Sequence, residues 1–133
     1  MTETDFLPFQ AGIEAGVDFI MVGHVIATSI DTEVVPCSLS KVMITDVLRG
    51  ELGFDGVIIT DALNMGAITE EYTSEEAAVL AIQAGADMLL MPDDFVAAYN
   101  GLLAAVQEGT ISEERIDESL RRIYRIKCAD KLE

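Results

Sequence analysis

The sequence predicts an α/β domain built on a parallel sheet, because one pattern of about ten residues occurs three times. Residues 13–22 (IEAGVDFIMV) read as a helix end, a glycine, an aspartate and an apolar run, and residues 82–91 (IQAGADMLLM) repeat this order. Residues 53–60 (GFDGVIIT) are a looser copy. The aligned aspartates are separated by 37 and 32 residues. A period of about 35 residues fits one strand-plus-helix unit.

Three strands are predicted, at residues 19–22, 57–59 and 88–91. Each run is apolar without alternation, which is typical of strands buried on both faces of a parallel sheet. The glycine two residues before each repeated aspartate fits the left-handed position at which a helix ends.

Five helices are predicted around these strands, at residues 5–15, 41–52, 75–84, 95–108 and 112–127. Ser40 is a plausible N-cap for the second helix, and Glu75 and Glu76 lie in the first turn of the third, where the helix dipole favours acids. On the last helix, Ile116, Leu120 and Ile123 share one apolar stripe. The predicted order is therefore α-β-α-β-α-β-α-α.

The repeated units favour a (β/α)₈ TIM barrel that is incomplete. No GxGxxG motif follows the first predicted strand, so a dinucleotide-binding fold is unsupported. A whole barrel needs about 250 residues, whereas this chain has 133 residues. Three strands cannot close a barrel. We expect about three parallel βα units of one, with a small open α/β sheet as the alternative.

Composition excludes several partners and sites. Eight basic against 24 acidic residues give a net charge of −16, which argues against nucleic acid and anionic membranes as partners. No run approaches the roughly 18 apolar residues of a membrane span. Cys37 and Cys128 are isolated, without a CxxC spacing. Neither a metal site nor a cofactor is expected, and whether the two thiols pair is open.

Candidate site residues lie where the predicted strands end, because active sites of (β/α) barrels occupy that face. These residues are His24, Asp61 and the pair Asp93–Asp94. Each has a competing structural role. Asp61 is also suited to cap a turn, His24 to close its strand through satisfied ring nitrogens, and the Asp pair to cap the helix at Phe95.

Other residues are assigned to the core or the surface. Met65, Met88 and Met91 are predicted to fill the core. Lys41 and Arg49 are predicted to lie on a solvated helix face.

Residues 52–65 (LGFDGVIITDALNM) closely resemble the nucleophile segment of family 3 glycoside hydrolases. The β-N-acetylhexosaminidase branch of that family has the pattern LGF-D-G-hydrophobic-[ST]-D-x-L-x-M. The resemblance continues through residues 7–9 (LPF), Met21-x-x-His24, residues 36–40 (PCSLS) and residues 115–123 (RIDESLRRI). It therefore covers nearly the whole chain.

The resemblance implies that these are barrel units six, seven and eight, the C-terminal portion of the barrel. It makes Asp61 the nucleophile of a retaining enzyme that cleaves terminal β-linked N-acetylhexosamine or β-glucoside residues. His24 and Met65 would line the remaining wall of the carbohydrate pocket. An attacking carboxylate must stay ionised, so we expect Thr60 and the backbone amides after the strand to donate hydrogen bonds to it.

The same resemblance shows what the chain lacks. The family's Lys-His…Gly-His signature and its Asp/His acid–base dyad have no counterpart, since His24 is the only histidine. We therefore expect residues 1–133 to be a partial catalytic domain without its natural N-terminus, and to be inactive alone.

Two alternatives stay open. One is a non-catalytic half-barrel that self-associates through its open sheet edges, forming a homo-oligomer. The other is a phosphate-binding barrel enzyme. This second reading is disfavoured because the loops after the second and third strands are acidic and lack a glycine-rich cradle.

Overall fold

A computed structural model describes residues 3–131 of the chain. Three parallel strands form one open sheet in the order β1 (Phe19–Val22), β2 (Val57–Ala62) and β3 (Met88–Leu90). The order along the chain equals the order in the sheet, as expected for consecutive units of a (β/α) barrel. The prediction of three parallel strands in an incomplete barrel is confirmed.

Four of the five predicted helices are present as α-helices, and the one predicted at residues 41–52 is not. Five α-helices are described: α1 (Glu3–Glu14), α2 (Gly66–Thr69), α3 (Ser74–Ala84), α4 (Phe95–Gln107) and α5 (Glu113–Lys127). Short 3₁₀ turns occupy Cys37–Leu39 and Ala129–Lys131. The single turn α2, after β2, was not predicted. None of the helices within residues 3–131 is long and apolar enough to cross a bilayer.

Local signals explain where the elements begin and end. Gly16, Gly53 and Gly85 all have positive φ angles, of 84°, 67° and 115°, which confirms the glycine positions inferred from the repeat. Thr73 caps α3 in a capping box with Glu76, so α3 begins at Ser74, one residue before the predicted start at residue 75.

The segment Val42–Glu51 is a π-helix, not the α-helix predicted over residues 41–52. The Leu52 amide donates to the Val47 carbonyl at 2.9 Å, an i→i+5 bond. Met43, Ile44 and Val47 are buried, and this spacing also fits an α-helix. Hydrophobic periodicity therefore could not separate the two forms.

The core lies on the helix side of the sheet. Ile44, Ile58 and Ile68 are fully buried there. On β1, Ile20 and Val22 face this core, whereas Phe19 and Met21 are 40% and 50% exposed. The prediction that every strand is buried on both faces is therefore wrong for β1, because residues 3–131 leave its other face partly open to solvent.

Candidate active site

The loop after β1 brings His24 to the end of the central strand. This loop is closed at its base by the antiparallel bridge between Ile26 and Pro36, and the Ser38 amide donates to the Gly23 carbonyl at 3.1 Å. His24 Nδ1 lies 2.7 Å from Ser38 Oγ, and Nε2 lies 2.8 Å from the carbonyl oxygen of Ala62. Both ring nitrogens are therefore engaged by the protein.

Asp61 lies at the carboxyl end of β2, half-buried. Its Oδ1 accepts a hydrogen bond from the Ala62 amide at 2.7 Å. Within residues 3–131, Oδ2 accepts no hydrogen bond. One oxygen is thus held by the backbone, and the other has no donor among the described residues. The bond from a following backbone amide agrees with the prediction for this carboxylate.

A register shift of the β-bulge kind lies between Ile59 and Ala62, in the stretch that contains Asp61. Ile59 pairs with Met88 and Ala62 with Leu90, so three steps along β2 match two along β3. A bulge disrupts the ladder and redirects side chains, and bulges are over-represented next to active sites. Sequence periodicity gave no signal for this irregularity.

Thr60 stabilises the bulge and does not contact the carboxylate. Its hydroxyl oxygen is fully buried and accepts from the Leu90 amide at 3.1 Å. The expectation that Thr60 donates a hydrogen bond to Asp61 is therefore wrong. The Thr60 side chain thus supplies an acceptor for the Leu90 amide in the stretch where the pairing of β2 and β3 is irregular.

The two methionines after the strand ends are exposed. Met65 is 45% exposed immediately before α2, and Met91 is 57% exposed with a positive φ of 45°. The prediction that they fill the core is wrong for both. Met65 follows Asp61 on the same turn, where its amide donates to the Ala62 carbonyl at 3.2 Å.

Asp94 is a helix cap. Its Oδ1 accepts from the Ala97 amide at 2.9 Å at the start of α4. This is the capping role that the sequence offered as the alternative to a role in the site. Asp93 is exposed at the same end of the sheet. No group of three or more His, Cys, Asp or Glu side chains suited to a metal ion occurs in the described part of the chain.

A buried ionic network occupies the opposite end of the sheet. The fully buried Asp87 carboxylate accepts from Arg49 at 2.5 Å, Ser119 at 2.7 Å, the Ile58 amide at 2.9 Å and Arg122 at 3.0 Å. Burial lowers the pKa of the Arg49 guanidinium, and the Asp87 charge acts in the opposite direction. The prediction that Arg49 lies on a solvated face is wrong, whereas Lys41 is exposed as predicted.

Arg115 completes this network from α5. It donates to Ser119 Oγ at 2.6 Å and to the Ala86 carbonyl at 2.7 Å, and burial lowers its pKa as well. The network lies at the amino ends of the strands, the face of a barrel that serves stability. It is therefore part of the scaffold.

Comparison with known proteins agrees with this geometry. Residues 1–126 match the family model described as glycosyl hydrolase family 3 N terminal domain. A family 3 β-N-acetylglucosaminidase from Paenibacillus sp. str. FPU-7 superposes with a TM-score of 0.88 at 46% identity, over 90% of this chain and 23% of that one. The β-N-acetylhexosaminidase from Beutenbergia cavernae gives 0.80 at 34% identity, over 90% of this chain and 36% of its own.

Curated relatives give the same result. A β-hexosaminidase from Chromobacterium violaceum is 40% identical over 89 residues, which cover 67% of this chain and 24% of that protein. The chain thus spans about a quarter to a third of the length of these relatives. Taken with the parallel units and the residues gathered at their carboxyl ends, these matches show that the chain belongs to glycosyl hydrolase family 3, within its TIM-barrel-like N-terminal domain.

Proposed function

We propose that Asp61 is the nucleophile of a retaining glycosidase that releases terminal β-linked N-acetylhexosamine or glucose residues. The observation that carries this proposal is the carboxylate at the carboxyl end of the central strand, with Oδ1 held by the Ala62 amide and Oδ2 unbonded within residues 3–131. A hydrogen bond to the ionised form favours a carboxylate that is ready to attack. The names of the relatives support a β-linked amino sugar as the substrate.

The chemistry follows from these two oxygens. Oδ2 attacks the anomeric carbon while the bond to the leaving oxygen breaks, and the bonding electrons move to that oxygen, which takes a proton from a general acid. The resulting glycosyl ester is then hydrolysed by water. Because Oδ1 stays bound to a backbone amide, the carboxylate keeps its orientation through the displacement.

His24 and Met65 line the sugar pocket in this proposal. His24 has no ring nitrogen left for a sugar hydroxyl, so its contribution is van der Waals contact from the partly exposed ring. Met65 offers a flexible thioether that adapts to the shape of a ring.

The general acid lies outside this sequence in our proposal, and residues 1–133 are part of a catalytic domain. The only histidine is engaged through both nitrogens. General acid catalysis is worth roughly 10²- to 10⁴-fold, so the chain alone hydrolyses unactivated glycosides negligibly. Its carbohydrate partner would be bound fully only with the rest of the barrel.

We also propose that the isolated chain pairs with a second copy of itself. Exposed edge strands invite pairing, and β1 is an edge that presents Phe19 and Met21 to solvent. A second β1 would cover both the backbone groups and the apolar side chains.

Covalent trapping tests the nucleophile without requiring the acid. A 5-fluoro-N-acetylglucosaminyl fluoride loses fluoride without protonation, and its ring fluorine slows hydrolysis of the glycosyl ester. Mass spectrometry of the peptide digest is expected to find one glycosyl unit on Asp61. Asp61→Asn should abolish the label, and Asp93→Asn, the exposed carboxylate after β3, should retain it. A label on Asp93, or none at all, would remove the assignment.

A further inference from the structure

We propose that His24 is a positioning residue for Asp61, and that Ser38 holds His24 in place; this inference rests on the proposed role of Asp61. Three hydrogen bonds connect the residues in series. Ser38 Oγ lies 2.7 Å from His24 Nδ1, His24 Nε2 lies 2.8 Å from the Ala62 carbonyl oxygen, and the Ala62 amide lies 2.7 Å from Asp61 Oδ1.

The direction of each bond follows from the groups involved. A carbonyl oxygen only accepts, so Nε2 of His24 carries the hydrogen and donates to Ala62. In the neutral ring Nδ1 then accepts, and the Ser38 hydroxyl donates to it. Ser38 is fully buried. The orientation of the imidazole is therefore fixed from the interior of the protein, and neither nitrogen is left to exchange a proton with a sugar.

The Ala62 carbonyl is held from two sides. It accepts from His24 and also from the Met65 amide at 3.2 Å. The next amide, of Leu63, donates to the Leu90 carbonyl at 2.8 Å. With its carbonyl and the following peptide fixed, Ala62 has little freedom to rotate, and its own N–H keeps one direction, toward Oδ1 of Asp61.

The irregular pairing gives this additional restraint its importance. Regular pairing between β2 and β3 is interrupted between Ile59 and Ala62, so Asp61 lies in a stretch that regular pairing does not align. The bond from His24, which belongs to the loop after β1, adds to the pairing of Ala62 with Leu90 a second restraint on Ala62. A displacement of about 1 Å in a reacting group can lower the rate about 100-fold. A restraint on the position of the Asp61 carboxylate therefore affects the rate of its attack.

NMR spectroscopy of the chain tests the inference independently of turnover. Three-bond couplings to Cγ of Asp61 report its χ1 rotamer, and hydrogen exchange of the Ala62 amide reports the bond to Oδ1. The parent should show one rotamer. In His24→Leu the couplings should average and the Ala62 amide should exchange roughly three- to ten-fold faster, the loss expected for one hydrogen bond. Ser38→Ala should shift both readouts in the same direction.

A rescue variant and a matched control distinguish a specific effect of His24 on Asp61 from a general loss of order in the chain. His24→Gln keeps an N–H donor near the position of Nε2 and should restore the single rotamer. Thr45→Val removes another side-chain bond to a carbonyl, from Thr45 Oγ1 to Ala84 at 2.7 Å, and should leave Asp61 unchanged. An averaged rotamer in Thr45→Val, or an unchanged one in His24→Leu, would overturn the inference.

Trapping with the 5-fluoroglycosyl fluoride then joins the two proposals. His24→Leu should label Asp61 about 10- to 100-fold more slowly at saturating reagent, with little change in the half-saturating concentration, and His24→Gln should recover most of the rate. Labelling of His24→Leu at the parental rate contradicts positioning. Absence of the label in the parent contradicts the nucleophile assignment instead, while the NMR readouts still decide the role of His24.

Discussion

The hydroxyl oxygen of Thr60 accepts a hydrogen bond from the Leu90 amide, whose nitrogen lies 3.1 Å from Thr60 Oγ1. This bond bridges β2 and β3 where the bulge interrupts their ladder. Thr60 is itself fully buried, and a buried polar group without a partner is costly. The side chain next to the proposed nucleophile therefore stabilises the irregular stretch that contains Asp61.

Thr60→Val is expected to destabilise the chain by about 1 to 3 kcal/mol, because it replaces the buried acceptor of the Leu90 amide with a methyl group at nearly constant volume. Thr60→Ser keeps the hydroxyl and should lose only about 1 kcal/mol for the missing methyl group. Urea unfolding measures both changes. Equal losses in the two variants would show that packing, and not the hydrogen bond, dominates at this position.

A pair of neighbouring aspartates gives a second test with an internal control. Asp94→Ala removes the N-cap of α4, in which Oδ1 accepts from Ala97, and should cost about 0.5 to 2 kcal/mol. Asp93→Ala changes an exposed side chain and should stay within about 0.5 kcal/mol of the parent. Thermal or urea unfolding distinguishes them. Reversed effects would show that Asp93 is the capping residue.

Much of the scaffold could be predicted from the sequence, because the repeat reflects the local preferences of glycine at helix ends and of apolar runs in buried strands. Gly16, Gly53 and Gly85 have the left-handed conformations that the pattern required, and the apolar runs after them are the three strands. Placing His24 and Asp61 at strand ends needed only the rule that parallel strands share one carboxyl edge. The nearby segment Val42–Glu51 was harder, because its i→i+5 bonds leave the same buried positions as an α-helix.

Contacts between distant residues could not be predicted in the same way. Asp18, Asp55 and Asp87 occupy equivalent positions of the repeat, yet only Asp87 has a fully buried side chain between Arg49 and Arg122. Its arginine partners are 38 and 35 residues away. The helical sequence pattern around Arg49 is typical of a solvated face. Only the tertiary structure shows that the Arg49 side chain reaches Asp87, directly before β3. The bulge at Asp61 likewise depends on how two strands meet.

The repeat supplies a matched pair for the ionic network. Asp87→Asn leaves two mostly buried arginines without a carboxylate and should cost about 3 to 5 kcal/mol. Asp55→Asn removes an exposed pair with Arg125, whose atoms lie 3.1 Å apart, and should cost less than about 1 kcal/mol. Urea unfolding compares them. A loss of under 1 kcal/mol in Asp87→Asn would mean that the asparagine side chain satisfies both arginines.

Self-association should depend on the edge strand. Size-exclusion chromatography with light scattering is expected to show a concentration-dependent dimer of the 14.4 kDa chain. Met21→Lys places a charge on the exposed face of β1 and should shift the chain to monomer, since edge lysines oppose strand pairing. Tyr99→Lys changes an equally exposed apolar side chain on α4 and should not. Loss of the dimer in Tyr99→Lys alone would place the contact on α4.

The buried thiol of Cys37 gives a pH-dependent prediction. Burial raises the pKa of Cys37 above its ordinary value of 9.0, and the nearby Asp31 carboxylate acts in the same direction. Below pH 9 the thiol is protonated in both the folded and unfolded states, so its contribution to stability is fully present. As the pH rises above 9, the unfolded chain loses this proton first, which stabilises the unfolded state, and the free energy of unfolding falls.

Cys37→Ala isolates that contribution. Urea unfolding under reducing conditions at pH 8, 9 and 10 should show a decline in stability for the parent that is shallower in Cys37→Ala. One group changes the slope by at most about 1.4 kcal/mol per pH unit. The alanine variant also loses packing contacts whose contribution does not depend on pH, so only the difference in slope between the two proteins reports the thiol. Parallel curves for the two proteins would show that the thiol ionises at the same pH in the folded and unfolded chains.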